Sequence, residues 1–509
     1  MENLVAIVEV LSRYKVAEID VIANPNSNSR DTEFYRLIEC GKIKTDNEAE
    51  AYFYGKDDKE ANGDKSNKNY YSFKSRFKDR LLNTLYFIDR ENKLLNDFQK
   101  TYYSTQHEWG AINILYRRNI IHTANHLADH LLSTCIKYEF TDLCVLVLDK
   151  LKSNTAFQTG NRKKYKSYRE KFWHYKEIWN EEHIAQECFE DIKIKYVKFL
   201  SFRPKNSAKA NEYLTKLDAL RKNNNSFTFF VYYFAVKEAV FSIQHNWEYA
   251  LKTCDEAILY FTNKPFEVKS YIAAFNTQKV VALLMLKKYD DCKKALDDVL
   301  KLQEEGNMSW FKTMETKILL SFHTQNYTDA YNTYIYVKSI KEFKNLKGQD
   351  IEIWLLFEVY LNFVISLNKI PNLDKKQLTP FSLGSFLNKI PTFENDKRGM
   401  NISVLIAKIC LILARKDYEK LKKYTEGIEK YLVRNVPKRD NTSYRTNLFI
   451  KALLEIPKAS YNRITLMRRL EKTMTDLSKV STNIVETGYK IEIIPYEIIW
   501  AEILCTFKK

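Results

Sequence analysis

Trp247-Glu248-Tyr249-Ala250, Tyr289-Asp290-Asp291-Cys292 and Tyr327-Thr328-Asp329-Ala330 share one pattern: a large turn residue, a polar or acidic pair, then a small residue opening a helix. The second and third copies start 42 and 38 residues after the one before, and a weaker forerunner, Ser207-Ala208-Lys209-Ala210, lies 40 residues ahead of the first. Self-similarity at a near-constant period in the range of about 20–50 residues marks a stack of helical hairpins, each of which needs its neighbours to bury its apolar face. The expected fold is therefore all-α: an α-solenoid of stacked antiparallel helical hairpins, preceded by a small, mainly helical N-terminal module.

The composition suits that architecture. At 509 residues the chain exceeds the size at which one core keeps growing, so an array or several domains is expected. Only 11 Gly and 9 Pro occur, which favours long helices over a β-rich or loop-rich enzyme. Basic residues outnumber acidic ones by 81 to 64. That surplus favours polyanions or acidic protein surfaces, or else is a lysine-rich bias spread over the whole surface. None of the eight Cys forms a C-x-x-C pair, several sit at apolar helix positions, and no signal-peptide layout opens the chain, so reduced core thiols in a cytoplasmic protein are expected. No run of 18 apolar residues is present, so no membrane span is expected.

Working outward from the repeats, the expected division has five parts. Residues 1–90 form a mainly helical module with a basic third helix, 91–200 helical hairpins and a long helix, and 201–367 the repeats. An irregular insertion, 368–400, contains Pro371, Pro380 and Pro391. Hairpins and a cap fill 401–509, where Lys416-Asp417-Tyr418 echoes the turn signal, Arg434–Arg445 is polar and basic, and the apolar run Ile491–Leu504 should dock as the cap. In the first part, Thr45-Asp46-Asn47-Glu48 has the form of a capping box. Lys56 to Asn69 reads as a mobile connection, and the helix from Tyr70 to about Ile88 carries Lys74, Arg76, Lys78 and Arg80 on its outer sides. Two short helices and a basic third have the order of a helix-turn-helix unit, although that connection is too long for the standard motif. A solvated basic face is the competing reading.

Further candidates follow the same logic. His122, His126 and His130 are four apart on one helix face, a spacing at which neighbouring imidazoles can converge on one metal ion, but there is no H-E-x-x-H and no further ligand is indicated. Tyr165, Tyr168, Phe172, Tyr175 and Trp179 repeat at 3-4-3-4 spacing among Arg162, Lys163, Lys164, Lys166, Arg169 and Lys171. Aromatics mixed with bases can stack single-stranded nucleic acid; the regular spacing instead indicates a buried seam. Asp290-Asp291 and Asp297-Asp298 fit helix starts and exposed faces. No phosphate-binding glycine loop and no nucleophile elbow is present, so neither an enzyme nor a cofactor is expected.

The turn-plus-helix pattern resembles the tetratricopeptide family of helix-turn-helix repeats. Its large turn residue is matched by Trp247, Tyr289 and Tyr327, and its small residue three further on by Ala250, Cys292 and Ala330. The next inward positions hold Cys254, Leu296 and Tyr334, then Ala257, Val299 and Val337. The period here exceeds the family's usual spacing of about 34 residues. The resemblance implies a scaffold that binds a partner protein along its first helices. In the same register Lys237, Lys279 and Lys317 each lie ten residues before the turn aromatic, forming a ladder that would attract an acidic peptide or a phosphate backbone, or a solvated ridge. The expected function is a non-enzymatic interaction scaffold or regulatory adaptor, with a nucleic-acid-associated factor as the alternative.

Overall fold

The repeat period becomes three-dimensional through one turn. In the computed structural model, residues 1, 3–5, 7–8, 30–54, 57–85, 96–198, 204–347, 349–371, 400–421, 444–479 and 492–507 are described. Among them the chain is all-α, without a strand, and helices pack against their neighbours in chain order. They fall into two compact units, Met1–Tyr165 and Lys166–Lys509.

In the first unit, α1 (Arg30–Glu39), α2 (Asp46–Tyr54) and α3 (Asp57–Leu85) surround an aromatic core. Phe34 meets Phe53, Phe73 and Phe77 at ring-centroid distances of 5.4, 5.5 and 4.9 Å. Helix α1 ends before Gly41, whose φ of 70° is the left-handed conformation that glycine adopts without a Cβ penalty. The capping box forms: Glu48 N–H donates to Thr45 Oγ1 at 3.3 Å, and Thr45 N–H donates to Glu48 Oε2 at 3.0 Å. The mobile connection expected before Tyr70 is corrected, because helix α3 already begins at Asp57. Residues 57–69 contain no proline, Asp57 and Asp58 suit the helix N-terminus, and Lys, Glu and Ala favour its continuation despite Gly63, which costs only about 1 kcal/mol. The long turn held against a helix-turn-helix order is thus absent; only residues 55–56 separate α2 from α3. Lys15–Ile22, whose β-branched residues suggest a short strand, lies outside the described residues.

Helices α4 (Asp97–Arg117), α5 (Ile121–Lys137) and α6 (Thr141–Asn154) complete this unit, and their turns share one geometry. Asn119 and Glu139 are left-handed, at φ 61° and 57°. The following N–H groups reach back to the preceding helix, Ile120 to Leu115 at 3.0 Å and Phe140 to Cys135 at 2.8 Å. This is the Schellman closure, in which the orphan carbonyls of a helix end are satisfied locally.

The same turn recurs throughout the second unit. It contains most of α7 (Arg162–Lys198), then α8 (Pro204–Leu220), α9 (Phe227–Ile243), α10 (Trp247–Thr262), α11 (Lys269–Met285), α12 (Tyr289–Leu302), α13 (Met308–His323) and α14 (Tyr327–Ser339). His245, Lys287 and Gln325 are left-handed two residues before Trp247, Tyr289 and Tyr327, as is Lys416 before Tyr418. Each turn aromatic is therefore the first residue of its helix. The small residues Ala250, Cys292 and Ala330 are fully buried, and so are Cys254, Ala257 and Val299 further along. A larger side chain there would hold neighbouring helices apart. The forerunner differs: Ser207 sits one turn inside α8, although Ala210 is buried.

Beyond the repeats, α15 (Gln349–Ser366), α16 (Met400–Ala414), α17 (Tyr444–Lys458), α18 (Arg463–Lys479) and α19 (Tyr496–Thr506) continue one connected core that runs from Trp247 to Phe507. The expected cap docks: α19 packs on α16 and α18 and buries Ile499, Trp500 and Ile503. Most of the insertion 368–400 lies outside the described residues. Arg445, read from the sequence as part of a polar basic segment, is 1% exposed and is fixed by Glu492, 47 residues away.

Candidate functional site

Alignment by the turn aromatic places the three ladder lysines on α9, α11 and α13, and their surroundings differ. Lys237 Nζ meets Glu256 at 2.6 Å and Lys279 Nζ meets Asp255 at 2.7 Å, so adjacent carboxylates on α10 neutralise both. Lys317 has no ion-pair or hydrogen-bond partner for its ammonium among the described residues. The expected column of three open charges is one open charge beside two closed pairs.

Lys317 lies where two cavities adjoin. The first, about 390 Å³, is bordered by Asp290, Lys293 and Asp297 of α12, by Lys317 and Ser321 of α13, and by Asp329 of α14. The second, about 380 Å³, shares Lys317 and Asp329 but is otherwise lined mainly by Leu300, Trp310, Met314 and Tyr336. Both are open clefts of ligand-binding size, one charged and one apolar. The Ser321 hydroxyl donates to Asp329 Oδ2 at 2.6 Å, and the Asn326 side chain accepts the Asp329 N–H at 3.3 Å, which holds the start of α14 in place. Neither cavity is lined by His or Cys. Asp290 and Asp297, explained from the sequence by helix starts and exposed faces, border the charged cleft.

The basic residues of α3 divide in the same way. Asp46 accepts hydrogen bonds from Lys74 Nζ and from the Tyr70 hydroxyl, both at 2.7 Å. Burial opposes ionisation of Asp46, but these donors prevail and hold its carboxyl down at about 2. Arg80 pairs with Asp31 of α1. Lys74 and Arg80 therefore fasten α3 to its neighbours, while Arg76 and Lys78 are exposed. On α5, His122, His126 and His130 all face outward, and no group of three or more His, Cys, Asp or Glu among the described residues is placed to hold a metal. On α7 only Tyr168 of the five seam aromatics is buried and the other four are half-buried, whereas Trp173, outside the seam, is 62% exposed.

No known family, curated protein or solved structure matches the chain. No helix among the described residues is long and apolar enough to cross a membrane.

A second polar cluster has no signature in the sequence because its members are far apart along the chain. Arg445 Nε and Nη2 donate to the two oxygens of Glu492 at 2.8 and 2.7 Å, and Nη1 donates to the Leu477 carbonyl at 2.6 Å. Glu492 also accepts the Tyr496 N–H at 2.6 Å, capping α19, and Arg445 pairs with Glu497. The His323 ring nitrogen lies 3.0 Å from the Glu492 carbonyl, so the network ties the repeats to the C-terminal helices. Burial pushes the Glu492 carboxyl up against the pull of Arg445, and pushes His323 down to about 4.

Proposed function

We propose that the chain is a non-enzymatic interaction scaffold, tetratricopeptide-like in its central repeats, that holds a segment of a partner protein in the cleft between α12, α13 and α14. The observation that carries this reading is the Lys317 ammonium, which has no partner among the described residues and stands between a charged and an apolar cavity. Lysines at the same position in the two preceding hairpins are already neutralised within the fold. The cleft offers ammonium, carboxylate, hydroxyl, amide and apolar groups, a set suited to recognising side chains rather than to activating a nucleophile. A cytoplasmic setting is part of the proposal. It is supported by eight cysteines, none of them in a disulfide and six of them buried, and by the Cys292 thiol, which burial pushes up to about 12.

The test is affinity purification with the full chain and an Asn332→Arg variant, which places bulk at the exposed rim of the apolar cavity. Proteins that use the cleft are expected to be recovered with wild type and lost with the variant. Identical recovery by both would contradict the assignment. The alternative is a nucleic-acid-associated factor, favoured by the exposed Arg162, Lys163, Lys166, Arg169, Lys171 and Trp173 of α7. Titration with single-stranded DNA and RNA at two salt concentrations distinguishes the readings, since backbone binding strengthens steeply at low salt. The carboxylates of Asp290, Asp297 and Asp329 oppose a phosphate backbone at the cleft itself.

A further inference from the structure

We propose that the cleft is an ion pair held open, and that its occupant is an amphoteric partner segment: a carboxylate for Lys317, a cation for Asp297, and a bulky apolar side chain for the adjoining cavity. The proposal rests on the scaffold reading and replaces an acidic peptide with a more specific chemistry.

The register of the repeats carries the inference. Asp255, eight residues after Trp247, pairs with Lys279 of the next hairpin. Asp297 stands eight residues after Tyr289, and Lys317 occupies in its hairpin the place of Lys279. By that register Asp297 and Lys317 should bridge. Instead both line one cavity of about 390 Å³, and neither has an ion-pair partner among the described residues. The other pairing in the array is lost as well. Glu256, nine residues after Trp247, pairs with Lys237, whereas the residue nine after Tyr327 is Tyr336, whose hydroxyl donates to Glu305. The third lysine is thus denied both kinds of acid that neutralise the other two.

Charge complementarity then selects the occupant. Asp290, Asp297 and Asp329 set three carboxylates against the two ammonium groups of Lys293 and Lys317. A purely acidic segment would satisfy Lys317 and meet repulsion from the carboxylates; a purely basic one would reverse the problem. A segment bearing both signs forms charge-assisted hydrogen bonds at each end of the opened pair. Because the apolar cavity shares Lys317 and Asp329 with the charged one, an apolar anchor beside the acidic residue fits the lining of Leu300, Trp310, Met314 and Tyr336.

Selection of a random-sequence phage peptide library against the full chain tests the proposal. Enriched peptides are expected to combine an acidic, a basic and a bulky apolar residue in one short stretch. Lys317→Gln and Asp297→Asn, both at sites with solvent access, should each weaken a selected peptide about tenfold, the scale of one charge-assisted hydrogen bond. Replacing that peptide's acidic residue by its amide should cost wild type as much as Lys317→Gln does, and cost the Lys317→Gln variant nothing more. Enriched peptides lacking either charge, or affinities unmoved by both variants, would overturn the proposal. If such peptides are nevertheless blocked by Asn332→Arg, the scaffold reading survives alone. If no peptide binds, both fail. Circular dichroism of each variant establishes that it is folded.

Discussion

Replacing Arg445 by Met would remove the cation from a carboxylate that has no access to water. Arg445 and Glu492 are each 1% exposed, and two parallel hydrogen bonds of 2.7 and 2.8 Å join them. Met retains much of the volume but leaves Glu492 charged and uncompensated, a loss of about 3–5 kcal/mol in buried pairs. Urea unfolding followed by tryptophan fluorescence reads this selectively, because six of the seven tryptophans lie in the second unit. Two units need not unfold together, so the tryptophan transition is the one to fit. Adding Glu492→Gln should recover most of the loss: the amide carries no charge, and its oxygen still accepts the Tyr496 N–H. At pH 5 the single variant should lose less than at pH 7.5. A buried carboxyl without its cation has a raised pKa, so the folded state gains a proton as pH falls and is stabilised relative to the unfolded chain. A loss below about 1 kcal/mol, or a double variant no more stable than the single, would refute the reasoning.

Three further outcomes are expected. His323 has a lower pKa folded than unfolded, about 4 against 6.5, so the stability it contributes is present above pH 6.5 and is lost as pH falls towards 4, by about 3 kcal/mol. In His323→Gln that part of the pH dependence should disappear from urea midpoints measured across the window. Gln325→Gly removes a Cβ from a left-handed residue, a relief of about 1–2 kcal/mol that is partly offset by glycine's freedom in the unfolded chain. A net gain of about 0.5–1 kcal/mol should appear in the same assay, and destabilisation would contradict the turn geometry. Ala330→Leu forces three carbons into a fully buried contact and should cost about 1–3 kcal/mol, whereas unchanged stability would show room between the helices.

The hairpins were legible because one constraint repeats along the chain. A turn aromatic at the first helical position and a small buried residue three later recur at a period that can be counted. The same turn at Asn119 and Glu139 left no such signal, because Ile121 and Thr141 open those helices and a left-handed position written as Asn or Glu is not distinctive. The start of helix α3 is not legible in the sequence because its first turns have no apolar face, and periodicity detects only helices that bury one. The lysine ladder was visible as a column, but the fate of each lysine depends on acids in neighbouring hairpins. That signal was present too: Asp255 and Glu256 align with Asp297 and Asp298, then with Ile335 and Tyr336, where the acids end. The Arg445 network had no counterpart in local sequence, since its members come together only when α19 docks.

Hydrogen–deuterium exchange of the full chain, with and without a selected amphoteric peptide, tests the cleft most directly. Binding at the opened pair should slow exchange in residues 289–302, 308–323 and 327–339 and leave α3 and α7 unchanged. Protection confined to α3 or α7, with none in those three helices, would contradict it.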